Sequence, residues 1–219
     1  MKKQTLSLEH NYRPAAGNLP KPPAIIMLHG FGSDETDLFS FASELPDKYA
    51  IISLKAPIRL QPHGNAWYNI YFDNVNGKFS DDEQAIKSRD LVSESIDEIV
   101  EKYQVDPDNI TLLGFSQGTI LSFSVALSYP EKVSQVIGLS GYIHKSILKE
   151  GYENNDFSNL KVYTSHGSVD QVLPVQWARE TKPFLEKLGI PCAYSEFPVG
   201  HGVAPDNFHE FKNWLETNS

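Results

Sequence analysis

With 219 residues the chain is long enough to bury the core of one α/β domain and short for two. Its 28 acidic and 19 basic residues give a net charge of −9, which argues against nucleic acid or an anionic membrane surface as the main partner. A single cysteine, Cys192, excludes an internal disulfide, and no run of about 18 apolar residues offers a membrane span. Behind Met1-Lys2-Lys3 stands no apolar run of the kind an export signal needs, so the expected location is cytoplasmic.

Residues 5–12 alternate loosely and are expected to form an opening edge strand, after which Pro14, Gly17, Pro20, Pro22 and Pro23 interrupt regular structure. Residues 1–23 thus read as the lead-in to one domain spanning 1–219. Ala24-Ile25-Ile26-Met27-Leu28 is wholly apolar, as a strand covered on both faces must be, and it runs into His29-Gly30-Phe31-Gly32. Asp34 or Asp37 is placed to cap a helix ending near Leu45, and 50–54 supplies the next buried strand. Residues 55–80 form a long connection that carries Trp67-Tyr68-Asn69-Ile70-Tyr71-Phe72, and connections of this length in a compact domain usually serve function. From Asp81 or Asp82 onward, Ala85, Arg89, Val92, Ile96, Ile99 and Tyr103 recur near a 3.6-residue period and predict a helix.

A strand over 110–113 then enters Gly114-Phe115-Ser116-Gln117-Gly118, followed by a helix from Gln117 to about Tyr129. Further strands are expected over 133–140, 161–166 and 192–197, with helices over 174–188 and 206–217. The alternation implies a mainly parallel central sheet with helices on both faces. Only about twenty residues separate the strands at 140 and 161, too few to bury the core of a cap domain.

Gly-x-Ser-x-Gly between a strand and a helix describes a sharp elbow that pushes the Ser116 hydroxyl clear of the sheet, beside the positive end of the helix. A serine hydroxyl is a poor nucleophile until a histidine takes its proton, and that histidine needs a carboxylate to fix its tautomer. In elbow architectures the order is serine, acid, histidine. His144 and His166 precede the best acid, Asp170, and His209 belongs to the polar face of the last helix, which leaves His201 in Gly200-His201-Gly202. Asp170 is preferred to Asp156 and Asp206 because it follows the strand ending at His166, on the edge where catalytic groups gather. Backbone N–H groups of Gln117 and Phe31 are the expected donors to a developing oxyanion. His166, Asp170, His201 and His209 form no compact metal-ligand motif, so neither a metal nor another cofactor is expected. Trp67, Tyr68 and Tyr71, with Phe72, are expected to wall the acyl pocket.

Leu28-His29-Gly30-Phe31-Gly32, Gly114-Phe115-Ser116-Gln117-Gly118, His166-Gly167-Ser168-Val169-Asp170 with Val172-Leu173-Pro174, and Gly200-His201-Gly202 together resemble the phospholipase/carboxylesterase family of α/β-hydrolases, which includes acyl-protein thioesterases. The resemblance runs from about Ala24 to the C-terminus. It implies an α/β-hydrolase fold, Ser116, Asp170 and His201 as the catalytic triad, and the Phe31 and Gln117 N–H groups as the oxyanion hole. Thr119 stands where the family's eukaryotic thioesterases commonly carry a second glycine, and Ser33-Asp34-Glu35 departs from their glycine-rich loop. Both departures bear on the substrate and leave the chemistry intact. The expected activity is that of a serine carboxylesterase acting on small carboxylic esters or thioesters through an acyl-enzyme. Acyl-protein thioesterase, lysophospholipase and peptidase are the alternatives among enzymes, and a binding protein that keeps the fold without the chemistry is the alternative of another class. The expected partner is a small ester, with no stable membrane association; a homodimer is as compatible with the sequence as a monomer.

Overall fold

The structure, a computed structural model, describes residues 2–17, 19–73 and 77–218, with backbone alone over 72–79. An opening strand β1 (His10–Arg13) leads to β2 (Ala24–Leu28) and β3 (Ala50–Leu54), and every residue of β2 and β3 is buried. Between those two strands the expected helix shrinks to one 3-10 turn, Leu38–Phe41. Its acids are engaged elsewhere. Asp34 Oδ1 accepts the Thr36 N–H at 2.8 Å and Asp37 Oδ2 accepts the Ser33 hydroxyl at 2.8 Å, so local side-chain bonds take the place of a helical cap.

The long connection after β3 folds into two small hairpins, β4 (Ile58–Arg59) with β5 (Asn65–Ala66) and β6 (Ile70–Asp73) with β7 (Gly77–Ser80). Helix α1 (Asp82–Tyr103) follows, with Asp81 accepting the Gln84 N–H at 3.0 Å as its N-cap. Then come β8 (Ile110–Phe115), α2 (Gln117–Ser128), β9 (Gln135–Leu139) and β10 (Lys161–Gly167). Two 3-10 turns, Lys145–Ile147 and Tyr152–Asn154, are the helical structure between β9 and β10, and no cap domain is inserted. The helix expected over 174–188 divides into α3 (Val175–Arg179) and α4 (Thr181–Lys187). Pro183 lacks the N–H that a continuous helix would donate to Arg179, so the break falls at Glu180. The chain closes with β11 (Cys192–Phe197), an edge strand that starts at the half-buried free Cys192, and α5 (Pro205–Asn218).

Seven strands pair in the order β1-β3-β2-β8-β9-β10-β11. All neighbours from β3 to β11 are parallel and β1 alone runs antiparallel to β3, which makes a mostly parallel sheet of the α/β-hydrolase type. Alternate residues of β2 feed opposite faces. Ile26 and Leu28 pack with Val92, Ile96 and Ile99 of α1 and with Leu121 and Val125 of α2, whereas Ile25 and Met27 pack with Leu38 and with Phe208, Phe211 and Leu215 of α5. Full burial of each such side chain contributes about 1.5–3 kcal/mol, so both faces must be covered for the central strands to hold their place. Every residue of α2 is buried, and that fixes the helix that begins at the elbow. The loops after β2, β8, β10 and β11 meet at the carboxyl edge of the sheet, the edge at which α/β sheets bind ligands.

Candidate active site

Ser116 joins β8 to α2 with φ 53° and ψ −114°, backbone that an L-residue adopts only when its surroundings hold it there. Its N–H donates to Leu139 O at 2.8 Å and its carbonyl accepts the Ile120 N–H at 3.1 Å. A Cβ on Gly114 would lie 2.5 Å from Gly118 O, so no side chain fits at the first glycine of the elbow. Thr119 Oγ1 sits 2.7 Å from Gly114 O and 2.7 Å from Leu139 O, which ties the first turn of α2 to the ends of β8 and β9.

The loop after β11 brings His201 Nε2 to 2.9 Å from Ser116 Oγ. On the other side of the ring, His201 Nδ1 lies 2.7 Å from Asp170 Oδ2. The Asp170 side chain is fully buried, and its Oδ1 accepts the Val172 N–H at 2.7 Å and the Leu173 N–H at 3.0 Å. Burial pushes this carboxyl up, but the bonds from His201 and from the Leu173 and Val172 N–H groups outweigh it and hold the group below the ordinary carboxylate value. An ionised Asp170 requires the hydrogen on Nδ1 of His201, so Nε2 turns a lone pair toward the Ser116 hydroxyl. The rival acids stand apart: Asp156 is exposed and accepts the Ser158 N–H at 2.9 Å, and Asp206 is exposed in the first turn of α5. His209 is exposed on α5, and His144 Nε2 lies 2.8 Å from Asp82 Oδ1. Among the described residues no three His, Cys, Asp or Glu side chains converge as metal ligands.

Gln117 is the first residue of α2, so its N–H has no intrahelical partner and points out of the helix N-terminus. The N–H of Phe31 is likewise taken by no acceptor among the described residues. Phe31 is held by what surrounds it. The Gly32 N–H donates to Asn65 O at 2.9 Å, the Asn65 N–H donates to Ser33 O at 2.7 Å, and Asn65 Nδ2 donates to Ala56 O at 3.0 Å. His29 is buried beneath this loop, where Nε2 accepts the Ala56 N–H at 3.0 Å and burial pushes the ring below the ordinary histidine value.

A cavity of about 250 Å³ opens over Ser116 and His201, with Phe31, Tyr68, Ile120, Tyr142, Leu173 and Trp177 among its walls. Of the aromatic residues expected there, Tyr68 alone lines it. Trp67 is fully buried in the layer behind: its Nε1 donates to His29 O at 3.0 Å and its N–H donates to Gln117 Oε1 at 2.8 Å. Tyr71 is 42 % exposed, its hydroxyl 3.3 Å from Asp81 Oδ2, outside the cavity. The side chain of Phe72 lies outside the described residues. Sequence reasoning missed Tyr142 and Trp177, which meet edge to face at 5.0 Å, and Leu173, whose signal was its place three residues after Asp170. The Gln117 side chain couples pocket to elbow, since its Nε2 donates to Tyr68 O at 2.7 Å.

Residues 13–219 match the family model described as phospholipase/carboxylesterase. An acyl-protein thioesterase 1 of Kluyveromyces lactis is 30 % identical over 193 residues, 80 % of this chain and 81 % of that protein. Among solved structures, esterase PE8 gives a TM-score of 0.83 at 24 % identity, covering 98 % of this chain and all (100 %) of the other. The carboxylesterase of Bacillus cereus gives 0.82 at 18 % identity, covering 97 % and 95 % of the two chains. No helix among the described residues is long and apolar enough to cross a membrane.

Proposed function

The chain belongs to the phospholipase/carboxylesterase family, and within that family of serine hydrolases we propose that Ser116 is its nucleophile, His201 its general base and acid, and Asp170 the carboxylate that orients His201. The observation that carries this reading is the unbroken line of contacts from Ser116 Oγ to His201 Nε2 (2.9 Å) and from His201 Nδ1 to Asp170 Oδ2 (2.7 Å), at the floor of an apolar cavity.

In this reading Ser116 Oγ attacks the carbonyl carbon of a bound ester while its hydrogen passes to His201 Nε2. The carbonyl oxygen takes the negative charge and receives the N–H groups of Phe31 and Gln117. His201 then gives its proton to the departing alkoxide or thiolate, the carbon–oxygen or carbon–sulfur bond breaks, and the acyl group remains on Ser116. Water repeats the sequence in reverse, losing a proton to His201 as it attacks, and Ser116 leaves with that proton. The route uses no cofactor. A cavity of about 250 Å³ suits a short acyl group, and the absence of a cap domain leaves room for leaving groups of varied size. Thioesters enter by the same steps, and the thioesterase name of the Kluyveromyces lactis relative makes them the second substrate class to assay. The reading further places the enzyme in the cytoplasm, in keeping with its one free cysteine, and leaves nucleic acid out as a partner on a net charge of −9. A homodimer remains compatible with it.

A fluorophosphonate probe tests the assignment. It should attach to Ser116 in the intact protein and abolish turnover of p-nitrophenyl acetate, and Ser116→Ala should neither label nor turn over. Label and turnover retained in Ser116→Ala would overturn it.

A further inference from the structure

His166, near the end of β10, is a buried histidine that the steps above leave without a task. Its side chain is fully buried, with Nε2 2.9 Å from Leu173 O and 3.2 Å from Asp170 Oδ2. A carbonyl only accepts, so Nε2 carries the hydrogen and donates it to Leu173 O, with Asp170 Oδ2 a close contact beside that bond. Nδ1, on the far side of the ring, is buried with no hydrogen-bond partner among the described residues. If packing were the whole role, a leucine would fill much of this space without burying an unpartnered nitrogen.

The oxygen that His166 approaches is the one that holds His201. Asp170 Oδ1 is occupied by the Val172 and Leu173 N–H groups, and Oδ2 faces both imidazoles, His201 at 2.7 Å and His166 at 3.2 Å. We infer that His166 is a positioning residue that acts through Asp170: bonded to Leu173 O, its Nε2–H packs the carboxylate against the Leu173 turn and, facing Oδ2 at 3.2 Å, offsets part of the charge with which that oxygen stabilises a proton on His201. The inference rests on the triad proposed above. The positive end of an N–H this close to a carboxylate offsets part of its charge, so removing it leaves Asp170 a stronger partner for protonated His201. The base then gives up its proton less readily, and the carboxylate loses one of the contacts that aim it.

The other charged groups near His166 are few. Glu196 on β11 stands at the same register and is tied to Arg179 of α3 at 2.6 Å, and β9 on the opposite side brings no charged side chain. His201 has Asp170 as its charged neighbour, with the Phe115 ring 5.0 Å from its own.

The test compares wild-type protein with His166→Leu, which has no donor, and His166→Gln, whose amide can donate to Oδ2. The readouts are kcat and KM for p-nitrophenyl acetate and the acid limb of kcat/KM between about pH 5 and about pH 9. His166→Leu should move that limb upward by about half a unit or more and lower kcat roughly tenfold with little change in KM, and His166→Gln should restore the limb. A folded His166→Leu with the wild-type limb, or an equal shift in both variants, overturns the inference. Should His166→Leu not fold, nitrogen-15 NMR of the wild-type histidines decides: hydrogen on Nε2 of His166 with a bare Nδ1 supports the role, and hydrogen on Nδ1 overturns it. Failure of the triad itself would show differently, as turnover in Ser116→Ala, whatever His166 does.

Discussion

A methyl group on Gly118 would stand 1.9 Å from the carbonyl oxygen of Leu28. The contact joins the first turn of α2 to the end of β2, and from those two points hang the N–H groups of Gln117 and Phe31. Gly118→Ala must push helix and strand apart, because a Cβ does not approach a carbonyl oxygen closer than about 3 Å. The two donors then no longer converge on one oxygen. Loss of one such donor lowers kcat by about 10² to 10³, and Gly118→Ala should fall in that range with a lowered Tm. At Gly30 the new Cβ would meet the Phe115 ring at 3.1 Å, a contact that a small ring movement relieves, so Gly30→Ala should be the milder variant. Steady-state kinetics and thermal melts check both. Wild-type kcat in Gly118→Ala would separate this contact from the chemistry.

Asp170→Asn preserves shape and removes the acceptor. Three N–H groups bond the carboxylate, from Val172 and Leu173 at Oδ1 and from His201 at Oδ2, and an asparagine must turn its own NH₂ toward one side or the other. Facing His201, that NH₂ forces the hydrogen onto Nε2, where it points at Ser116 and blocks proton transfer. A loss of roughly 10⁴ in kcat is expected, with Asp156→Asn and Asp206→Asn unaffected because both side chains are exposed. Comparable damage from Asp156→Asn would move the acid elsewhere.

What is legible in one sequence depends on whether its cause is local. Strands β2 and β3 are legible because a strand covered on both faces is apolar nearly throughout, Ser53 of β3 being the exception, and their bounds coincide with the runs 24–28 and 50–54. The elbow is legible because its glycines answer to space within a few residues. The two-residue strands β4 and β5 are not, since their pairing exists only where Asn65 reaches the turn after His29. Nor does an aromatic run disclose which ring faces which way: Trp67 turns into the core beneath His29, Tyr68 into the cavity, and Tyr71 outward. Trp177 carries no periodic signal, being an exposed residue on a helix of five. The nearness of His166 to Asp170 follows from the turn geometry after β10, which i,i+4 spacing outside a helix does not dictate.

Acid stability should depend on a pair at the edge of the sheet. Arg179 Nε and Nη2 donate to the two Glu196 oxygens at 2.6 and 2.8 Å, and the hydrogen bond from Arg179 foremost lowers the Glu196 carboxyl from 4.5 to about 2. A folded-state value below the unfolded one means that the pair stabilises fully above about 4.5 and fades as pH falls toward about 2. Arg179 is 53 % exposed, so solvent screening limits the contribution to under about 1 kcal/mol. Arg179→Ala should therefore lower Tm slightly at neutral pH, and the gap from wild type should close on acidification. A gap that is constant down to about pH 2 would mean that packing, not charge, makes the difference.

Acyl selectivity should respond to Trp177 and not to Trp67. Trp177 is 45 % exposed and forms part of the cavity wall against Tyr142, so Trp177→Ala lengthens the space above Ser116 without opening the core. One or two altered pocket contacts change discrimination by roughly 1 to 3 kcal/mol, and the change should favour longer p-nitrophenyl esters over the acetate. Trp67→Ala removes a fully buried indole and its bond to His29 O, which leaves a hole beneath the loop that carries Phe31. Its cost should be about 3–5 kcal/mol of stability, with activity lowered alike for every chain length. A series of p-nitrophenyl esters of graded length, assayed in solution without lipid or detergent, measures both effects at once. If Trp67→Ala rather than Trp177→Ala reorders the series, the indole of Trp67 reaches the acyl chain and the wall of the pocket lies one layer deeper than Tyr68 and Tyr142.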